Sequence, residues 1–589
     1  MFDFSDADLR RSYWHTSSHI LAHAVKRLYS DVKLGIGPAI EQGFYYDFDR
    51  NEPFSSDELK DIEKEMKKII KAKIPLERFE LDRDAARRYM MEREEPYKVE
   101  LIDDLPADAV ISFYRQDDFT DLCSGPHLEH TGQVKAVKLT QSAGAYWRGS
   151  EKNKMLQRIY GISFPDKEQL KDWLEKQEEA RRRDHNKLGR ELGFFTTTEY
   201  IGQGLPIMLP KGARVLQILQ RFVEDEEEKR GYLLTKTPLM AKSDLYKISG
   251  HWQHYRDGMF IMGDPDKADT EDVLALRPMT CPFQFQAYLL KTRSYRDLPI
   301  RYNETSTLFR NESSGEMHGL IRLRQFTISE GHIVCTPDQL EGEFRGSLDL
   351  ARFMLETIGL HDDVSYRFSR WDPQNRDKYI GDPAQWDAAQ STMQGILDHM
   401  ELEYTVADGE AAFYGPKLDI QIRNVFGKED TLITVQIDFQ LADRFGMTYT
   451  DRNGEKQAPF IIHRTSIGCY ERTLALLIEK YAGALPLWMA PEQARILPIS
   501  ERHLDAANQL AQQLRQAGLR VSVDGRDEKI GKKIREAQME KLQYMLIIGD
   551  QEIEAGTVAV RSRRDGDLGA VVIADMIARL QQEVATRQL

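Results

Sequence analysis

The chain is poor in cysteine and has no long hydrophobic run. Only four cysteines stand among its 589 residues, at positions 123, 281, 335 and 469, far apart and without a pairing pattern. This spacing excludes a disulfide framework. No uninterrupted apolar stretch approaches the roughly 20 residues that cross a bilayer, so membrane insertion is also excluded.

The N-terminus lacks the features of a secretory signal, and the chain lacks an excess of positive charge. Aspartates stand at positions 3, 6 and 8, where a signal would be basic, so we expect a cytoplasmic protein. The chain has 81 Lys and Arg against 95 Asp and Glu, which gives a formal net charge of -14. This acidic balance is at first sight unsuited to a nucleic-acid binder, because phosphate contacts require basic groups. Basic clusters at 529–535 and 561–564 predict either a nucleic-acid footprint or a solvated helix face.

The length exceeds what one hydrophobic core supports, and three or four domains are expected. Residues 1–163 mix helical and alternating patterns, which predicts an α+β domain. The charged segment 164–194 predicts an exposed connecting helix. Residues 195–490 combine strand and helix patterns, and residues 491–589 alternate them regularly, which predicts a small α/β domain.

Three local patterns predict single elements. Residues 55–73 have apolar side chains at helical spacing behind a serine cap, Ser55 or Ser56, and predict an amphipathic helix. A second helix is predicted over 214–228. The alternating run at 432–438 predicts a strand.

Two short segments carry arginine in a form that suits phosphate chemistry. One is FRNE at 309–312, and the other is GCYER at 468–472, ahead of an apolar helix pattern. Each guanidinium is a planar fork of donors that stays charged, so Arg310 and Arg472 can hold two phosphates of one ATP molecule. Taken alone, either segment is more often a surface ion pair.

In this order, and with apolar strands around both, the two segments resemble motifs 2 and 3 of the class II aminoacyl-tRNA synthetases. Other segments narrow the resemblance to the threonyl-tRNA synthetases, from about Ser12 to the C-terminus. These segments are SAGAYWR at 142–148, KMLQRIY at 154–160, SGHWQHY at 249–255, MF at 259–260, RPMTCP at 277–282, AFYGPK at 412–417 and VQIDF at 435–439.

The resemblance implies a multidomain α+β fold. It places an editing domain at 1–163, a connecting helix at 164–194, a class II antiparallel sheet flanked by helices at 195–490, and an α/β anticodon-binding domain at 491–589. It implies a bacterial type of chain without the small N-terminal module that many relatives carry. The segment 214–238 resembles motif 1, so a homodimer is expected.

The resemblance also implies the reaction and its site. The expected activity is ATP-dependent formation of threonyl-adenylate from L-threonine and transfer to tRNA(Thr), with hydrolytic editing of Ser-tRNA(Thr) and with Mg²⁺ accompanying ATP. Preplaced cations stabilise the charge that develops at the α-phosphorus. Arg310, Glu312 and Arg472 are the expected catalytic residues. The expected ATP contacts are Arg310, Glu312, Arg322, Arg324, Gln436 and Arg472, and the expected threonine contacts are Met279, Glu330 and Tyr414.

Three metal-ligand types, Cys281, His332 and His463, have no short spacing between them. Spacing alone favours a buried cysteine and ordinary histidines. The resemblance implies instead that they hold one catalytic Zn²⁺ with an open position for substrate. A site built around the hydroxyl of threonine rejects valine, which lacks that hydroxyl, by a factor of roughly ten thousand or more. Serine keeps the hydroxyl and lacks only a methyl group, so its binding free energy differs from that of threonine by only about 1 to 3 kcal/mol. A second sieve against serine is therefore needed.

The N-terminal segment supplies residues for that sieve. If 15–29 is helical, His15, His19 and His23 lie on one face, and two of them can converge on a ligand. A helical histidine pair is by itself more often structural. The resemblance implies an editing site made of His15, His19, Tyr46, Lys98, Asp121, Cys123 and His127. These ligand types permit zinc, while the resemblance favours hydrolysis by water without a metal.

The C-terminal segment supplies candidates for anticodon recognition. Arg561 can donate to a guanine edge and Glu552 can accept from a base amino group, with Asp527 and Lys529 nearby in the sequence. Charged residues on an exposed hairpin are the equally weighted alternative.

Some positions depart from the common bacterial pattern of the family. They are Phe283 and Gln284 in place of Gly-His, Ile328 and Glu330 in place of Gln and Asp, Thr431 in place of Gln, and Thr465 in place of a small residue. Two rival hypotheses therefore stay open. One is a class II synthetase with altered amino-acid specificity, and the other is a synthetase-like RNA-binding regulator that needs no turnover.

Overall fold

A computed structural model describes residues 4–589. The chain forms two compact units, Met1–Glu179 and Ala180–Leu589. Among the helices of residues 4–589, none has the length and apolar character that crossing a membrane requires.

The first unit combines helices with two antiparallel sheets. Its helices are α1 (Ala7–Leu28), α2 (Ser56–Ala72), α3 (Arg83–Met91) and α4 (Pro96–Asp104), and α5 (Lys167–Arg183) begins in it. Its strands are β1 (Lys33–Leu34), β2 (Ala39–Ile40), β3 (Gly43–Asp49), β4 (Glu77–Leu81), β5 (Ile111–Gln116), β6 (Phe119–Leu122), β7 (Ala136–Tyr146) and β8 (Met155–Phe164). The larger sheet has the order β1-β3-β8-β7 with β2 beside β3, and β4-β5-β6 form the smaller one.

Local sequence explains where helices begin in this unit. The Asp6 carboxylate accepts hydrogen bonds from the amides of Asp8 and Leu9 and caps α1. Ser55 and Glu58 form a reciprocal capping box on α2, whose apolar face is buried. The helix predicted over 55–73 is confirmed, with Ser55 as its cap. Helix α1 packs against α2 and β3 and is buried over most of its length.

The segment 164–194 carries two helices where one was predicted. Helix α5 ends at Arg183, and Asp184 then caps a separate helix, α6 (His185–Glu191), by accepting from the amide of Asn186. The remaining helices are α7 (Pro210–Lys229), α8 (Ser243–Ser249), α9 (His251–His254), α10 (Cys281–Leu289), α11 (Leu340–Ile358), α12 (Pro383–His399), α13 (Leu441–Arg444), α14 (Tyr470–Lys480), α15 (Leu504–Gln516), α16 (Ile530–Met539), α17 (Asp550–Ala555) and α18 (Ile573–Ala585).

An eight-stranded sheet forms the centre of the second unit. The strands up to residue 469 are β9 (Phe195–Thr196), β10 (Ile207–Met208), β11 (Leu233–Leu234), β12 (Met240–Lys242), β13 (Ile261–Met262), β14 (Leu274–Leu276), β15 (Arg293–Ser294), β16 (Ile300–Phe309), β17 (Gln325–Cys335), β18 (Val364–Arg370), β19 (Thr405–Asp408), β20 (Lys417–Arg423), β21 (Glu429–Asp438), β22 (Tyr449–Thr450), β23 (Lys456–Gln457) and β24 (Phe460–Cys469). The sheet has the order β11-β16-β17-β24-β21-β20-β18-β19, and its six inner strands pair antiparallel.

Side-chain alternation gives this sheet one apolar and one polar face in its middle. Ile333 lies opposite Ile462 across β17 and β24, and both join the core with residues of α11 and α14. Their neighbours His332 and His463 also lie opposite each other and point to the other face, because successive side chains of a strand alternate. The core thus fixes which residues of these strands face away from α11 and α14.

A five-stranded sheet forms the C-terminal part of the second unit. Its strands are β25 (Ala494–Pro498), β26 (Val521–Val523), β27 (Tyr544–Ile548), β28 (Thr557–Ser562) and β29 (Gly566–Val572), in the order β26-β25-β27-β28-β29. The first three pair parallel and the last two antiparallel. Parallel strands joined by α15 and α16 confirm the predicted α/β character.

Candidate functional site

Three strands gather the site residues on the polar face of the eight-stranded sheet. His463 pairs with His332 on β17 and with Gln436 on β21. Glu330, two residues before His332, lies opposite Thr465. Because directly opposite side chains on one face have Cβ atoms only about 5 Å apart, this register brings together residues more than a hundred positions apart.

The predicted metal ligands meet in one cluster. Cys281 begins α10, and the ligand atoms of Cys281, His332 and His463 all lie within 4.8 Å of one another. His332 Nδ1 lies 2.6 Å from the Gln284 amide oxygen, and His463 Nε2 lies 2.8 Å from an Asp438 carboxylate oxygen. The other ring nitrogen of His332, Nε2, is buried and has no hydrogen-bond partner among the described residues.

The protonation states of the cluster follow from its burial. Burial raises the pKa of the Cys281 thiol and lowers the pKa of His332 well below its ordinary value. Neutral imidazoles are the form that binds a metal. A bound divalent cation reverses the effect of burial on the thiol, because it stabilises the thiolate directly.

A cavity of about 400 Å³ lies beside this cluster. Arg310, Glu312 and Arg472 line it together with Gln436 and Arg322. The cavity and the cluster share a border, since the Tyr414 hydroxyl donates to the Gln436 amide oxygen over 2.5 Å while the Tyr414 ring stacks on His463 with centroids 4.7 Å apart.

Fixed contacts orient the arginines of the cavity. Arg472 donates from Nε to the Ile321 carbonyl over 2.9 Å and from Nη1 to the Thr431 carbonyl. The Arg310 guanidinium lies over the Phe326 ring at 5.2 Å, and its Nε has no partner among the described residues. Gly468 lets β24 turn into α14, which carries Arg472: its φ is +76°, and a Cβ there would lie 2.1 Å from the Leu432 carbonyl oxygen.

Arg324 differs from the other predicted nucleotide contacts. It is absent from the lining of the cavity. Its guanidinium donates to the Glu312 carbonyl oxygen from both Nε and Nη2, at 3.2 and 3.1 Å. Arg324 therefore supports the loop that carries Glu312. Arg322 does line the cavity, with ion-pair distances of 3.5 Å to Glu312 and 3.4 Å to Glu316.

The three predicted threonine contacts border the metal-ligand cluster. A Glu330 carboxylate oxygen accepts from the Thr280 amide over 3.1 Å, and the other lies 3.7 Å from His332 Nε2. Burial raises the pKa of this carboxyl group. Met279 and Tyr414 pack against the hydrophobic group that contains Cys281.

Sequence reasoning missed some functional candidates. Lys417 and Cys469 line the cavity, and Gln284 and Asp438 orient the two histidines. Lys417 and Asp438 lie inside segments that carry the family resemblance, at 412–417 and 435–439. Their position in these segments is the sequence feature that could have identified them as site residues. Gln284 stands out in the sequence only as a departure from the family pattern, since no sequence pattern shows which atom its amide faces.

A second cavity, of about 360 Å³, lies in the first unit. His15, His19, Lys98, Asp121 and Cys123 are among its lining residues. Successive turns of α1 present the two histidines, and the segment after β6 brings Cys123. The Cys123 sulfur lies 3.2 Å from His15 Nε2 and 3.2 Å from Nε2 of His127. His23 lies outside this group and contacts Asp118 and Gln116.

A hydrogen-bonded trio adjoins the histidines. The Tyr46 hydroxyl donates to an Asp121 carboxylate oxygen over 2.5 Å, and Lys98 Nζ lies 2.5 Å from the other oxygen and 3.0 Å from the Tyr46 hydroxyl. His19 Nε2 lies 3.6 Å from Asp121. All seven predicted residues of this site therefore lie in one connected group.

Burial also sets the protonation of this second group. It lowers the pKa of His15, His19 and His127 below the ordinary value and raises the pKa of Cys123 to about 12. At neutral pH the imidazoles are uncharged and the thiol keeps its proton. Each neutral imidazole keeps one ring nitrogen with a lone pair, which can accept a hydrogen bond from a water molecule.

The four predicted anticodon residues lie on different elements of the C-terminal part. Asp527 and Lys529 are exposed in the segment before α16. Glu552 lies in α17 and accepts from the Gly549 amide over 2.9 Å, while Arg561 on β28 lies 3.3 Å from Asp567. Among the described residues, no hydrogen bond or ion pair joins any two of the four.

Three family models match different parts of the chain. Residues 264–481 match the tRNA synthetase class II core domain (G, H, P, S and T), and residues 493–583 match the anticodon binding domain. Residues 111–160 match the threonyl and alanyl tRNA synthetase second additional domain. The two units therefore hold a synthetase core, an anticodon-binding domain and part of an editing domain.

Individual relatives extend this match over nearly the whole chain. A threonine--tRNA ligase of Clostridium perfringens is 61% identical over 585 residues, which cover 99% of this chain and 90% of the relative. A threonine--tRNA ligase of Caldanaerobacter subterraneus subsp. tengcongensis is 46% identical over 588 residues, covering 100% and 89%. The crystal structure of the RNA binding domain of threonyl-tRNA synthetase from Cryptosporidium parvum has a TM-score of 0.63 and 33% identity, covering 68% of this chain and 98% of that one. The chain therefore belongs to the threonine--tRNA ligases, with a class II synthetase core, an anticodon-binding domain and an editing domain.

Proposed function

We propose that this chain activates L-threonine with ATP at the polar face of β17, β21 and β24 and transfers it to tRNA(Thr). One observation carries the assignment of the site: the Cys281, His332 and His463 cluster borders the cavity that holds Arg310 and Arg472. The carboxylate of an amino acid bound at the cluster would thus face the phosphates of a nucleotide bound by the two arginines.

The three ligand residues fit one zinc ion. Their donor types are those of a three-ligand catalytic zinc site, and His332 Nε2 is a buried nitrogen without a partner among the described residues. Zinc bound by Cys281, His332 and His463 would supply a Lewis acid with an open position for the substrate's amino and hydroxyl groups. Glu330, beside His332, would accept a hydrogen bond from the threonine hydroxyl, and Met279 and Tyr414 would enclose the substrate.

The arginines carry the adenylation chemistry in this proposal. Arg310 would hold the α-phosphate and Arg472 the γ-phosphate. Both line the cavity, where two backbone carbonyls orient Arg472 and the Phe326 ring packs against Arg310. Guanidinium groups held in place by the protein stabilise charge that develops in the transition state without reorganising. Glu312 and Gln436 would contact the nucleotide, and Mg²⁺ would enter with ATP.

The second cavity would hydrolyse Ser-tRNA(Thr). The seryl ester would enter between α1 and the segment after β6, where neutral His15 and His127 flank the Cys123 thiol. An imidazole takes a proton from the attacking water as the water oxygen bonds to the ester carbon. The same imidazole then returns that proton to the tRNA oxygen as the ester bond breaks, which leaves free serine and tRNA. The Tyr46, Lys98 and Asp121 trio would orient the serine hydroxyl and amino groups.

Two further partners complete the proposal. The exposed residues Asp527 and Lys529, with Glu552 and Arg561, would contact the anticodon. A second copy of the chain would pair through β11, whose Leu233 and Leu234 are 55% and 65% exposed at the edge of the sheet. An edge strand with exposed leucines favours a homodimer.

Threonine-dependent exchange of pyrophosphate into ATP tests the activation site. Cys281→Ala is expected to abolish exchange, whereas Cys335→Ala, a matched control at an equally buried cysteine outside the cluster, is expected to keep it. Wild-type exchange with another amino acid and none with threonine would overturn the proposal. So would full exchange in the Cys281→Ala protein.

A further inference from the structure

A chain of directed hydrogen bonds leads from the sheet edge to His332. The Thr235 hydroxyl donates to the Asn303 carbonyl over 3.0 Å and lies 3.3 Å from a Glu304 carboxylate oxygen. The Gln284 amide nitrogen donates to the Thr235 hydroxyl over 2.8 Å. The amide oxygen of Gln284 faces His332 Nδ1 at 2.6 Å. Gln284 and His332 are fully buried.

The acceptors at the Thr235 end determine the donor and the acceptor of each hydrogen bond in this series. A backbone carbonyl and an ionised carboxylate accept only, so the single hydroxyl hydrogen of Thr235 is committed to Asn303 or Glu304. The Thr235 oxygen must then accept from Gln284, which turns the amide NH₂ group toward Thr235 and the amide oxygen toward His332. That oxygen accepts only, and the proton of a neutral His332 therefore resides on Nδ1.

This arrangement leaves Nε2 of His332 as the nitrogen with a free lone pair. It is the same nitrogen that is buried without a partner among the described residues and that lies in the cluster with Cys281 and His463. In His463 the two ring nitrogens have exchanged roles, because the Asp438 carboxylate contacts Nε2 and leaves Nδ1 as the other ring nitrogen. An acceptor on the outer nitrogen both orients a metal-bound imidazole and raises its basicity.

We propose that Gln284 is a positioning residue that holds His332 in the tautomer and ring orientation needed to bind the metal ion, with Thr235 fixing the orientation of the amide. The inference rests on the zinc site of the proposed function. Gln284 is absent from the lining of the cavity that holds Arg310 and Arg472, and in this proposal it acts through His332. Its loss is expected to weaken zinc binding by roughly 10- to 100-fold.

The test measures the zinc dissociation constant by chelator competition in the full-length protein. Gln284→Leu removes the acceptor, and Gln286→Leu is the matched control, since it makes the same change at an exposed position of α10. We expect the loss of affinity in the first variant only, with little change in the melting temperature of the metal-depleted protein. Gln284→Glu keeps an acceptor opposite Nδ1 and is expected to retain most of the affinity.

Thr235→Val provides a second, milder change that keeps the side-chain shape. It frees the Gln284 amide to turn, so a smaller loss of affinity is expected. Wild-type protein that binds no zinc would refute the zinc site itself. Wild-type protein that binds zinc, together with a Gln284→Leu protein of unchanged zinc affinity, would refute only the positioning role. A Gln284→Leu protein that loses affinity only in step with a lowered melting temperature of the metal-depleted form, and is not rescued by Gln284→Glu, would also contradict it.

Discussion

Acidification from pH 7.5 to 5.5 is expected to destabilise the first unit through its buried imidazoles. Burial keeps the pKa of His19 and His127 well below the ordinary value of 6.5. Both stay neutral in the folded state, while the unfolded chain binds protons as the pH falls through 6.5. The unfolded state thus binds more protons, and the free energy of unfolding decreases toward acid pH.

The size of the effect follows from proton linkage. For one imidazole that stays neutral when folded, the loss over these two pH units is about 1.4 kcal/mol. His19 and His127 together give about 2.7 kcal/mol. Burial also lowers the pKa of His15, which acts in the same direction.

Hydrogen exchange of the α1 amides measures this loss. After correction for the chemical exchange rate at each pH, the opening free energy of α1 should be lower at pH 5.5 than at pH 7.5 by an amount of this order. A His19→Gln, His127→Gln double variant should show a correspondingly weaker pH dependence. Equal protection at the two pH values, or an unchanged pH dependence in the double variant, would show that these imidazoles are not held neutral by burial.

Further outcomes are expected at the other sites. Arg472→Lys keeps the charge but loses the donor fork, so kcat/KM for ATP should fall roughly 10- to 150-fold, equivalent to about 1.5–3 kcal/mol; unchanged ATP kinetics would remove Arg472 from the nucleotide site. Cys123→Ala should accumulate Ser-tRNA in a deacylation assay, while His23→Gln, on the helix of His15 and His19 but outside the group, should not; unchanged hydrolysis by Cys123→Ala would refute the editing assignment. Arg561→Ala should remove about 1–3 kcal/mol of tRNA binding free energy, which raises KM for tRNA without affecting pyrophosphate exchange; equal tRNA kinetics would exclude Arg561 from anticodon contact.

Much of the fold was readable from the sequence where local signals agreed. The serine cap and apolar spacing at 55–73 predicted α2, and the alternating run at 432–438 predicted part of β21. The single helix predicted over 164–194 failed because the charged pattern continues through Asp184, whose side chain caps a new helix.

The candidate site was readable only through family resemblance and not through spacing. Cys281, His332 and His463 meet because β17 and β24 pair with His332 opposite His463, and no short-range pattern encodes that register. The supporting contacts were the least predictable. Neither the amide orientation of Gln284 nor the engagement of Arg324 with the Glu312 carbonyl has a signature in the order of residues.

The most direct test of the account compares threonine, serine and valine in pyrophosphate exchange, with zinc content measured on the same samples. The expected result is one zinc per chain, exchange with threonine and to a lesser degree serine, almost none with valine, and loss of threonine exchange on metal depletion with recovery when zinc is returned. Valine activated as well as threonine, or full activity in protein free of metal, would contradict it.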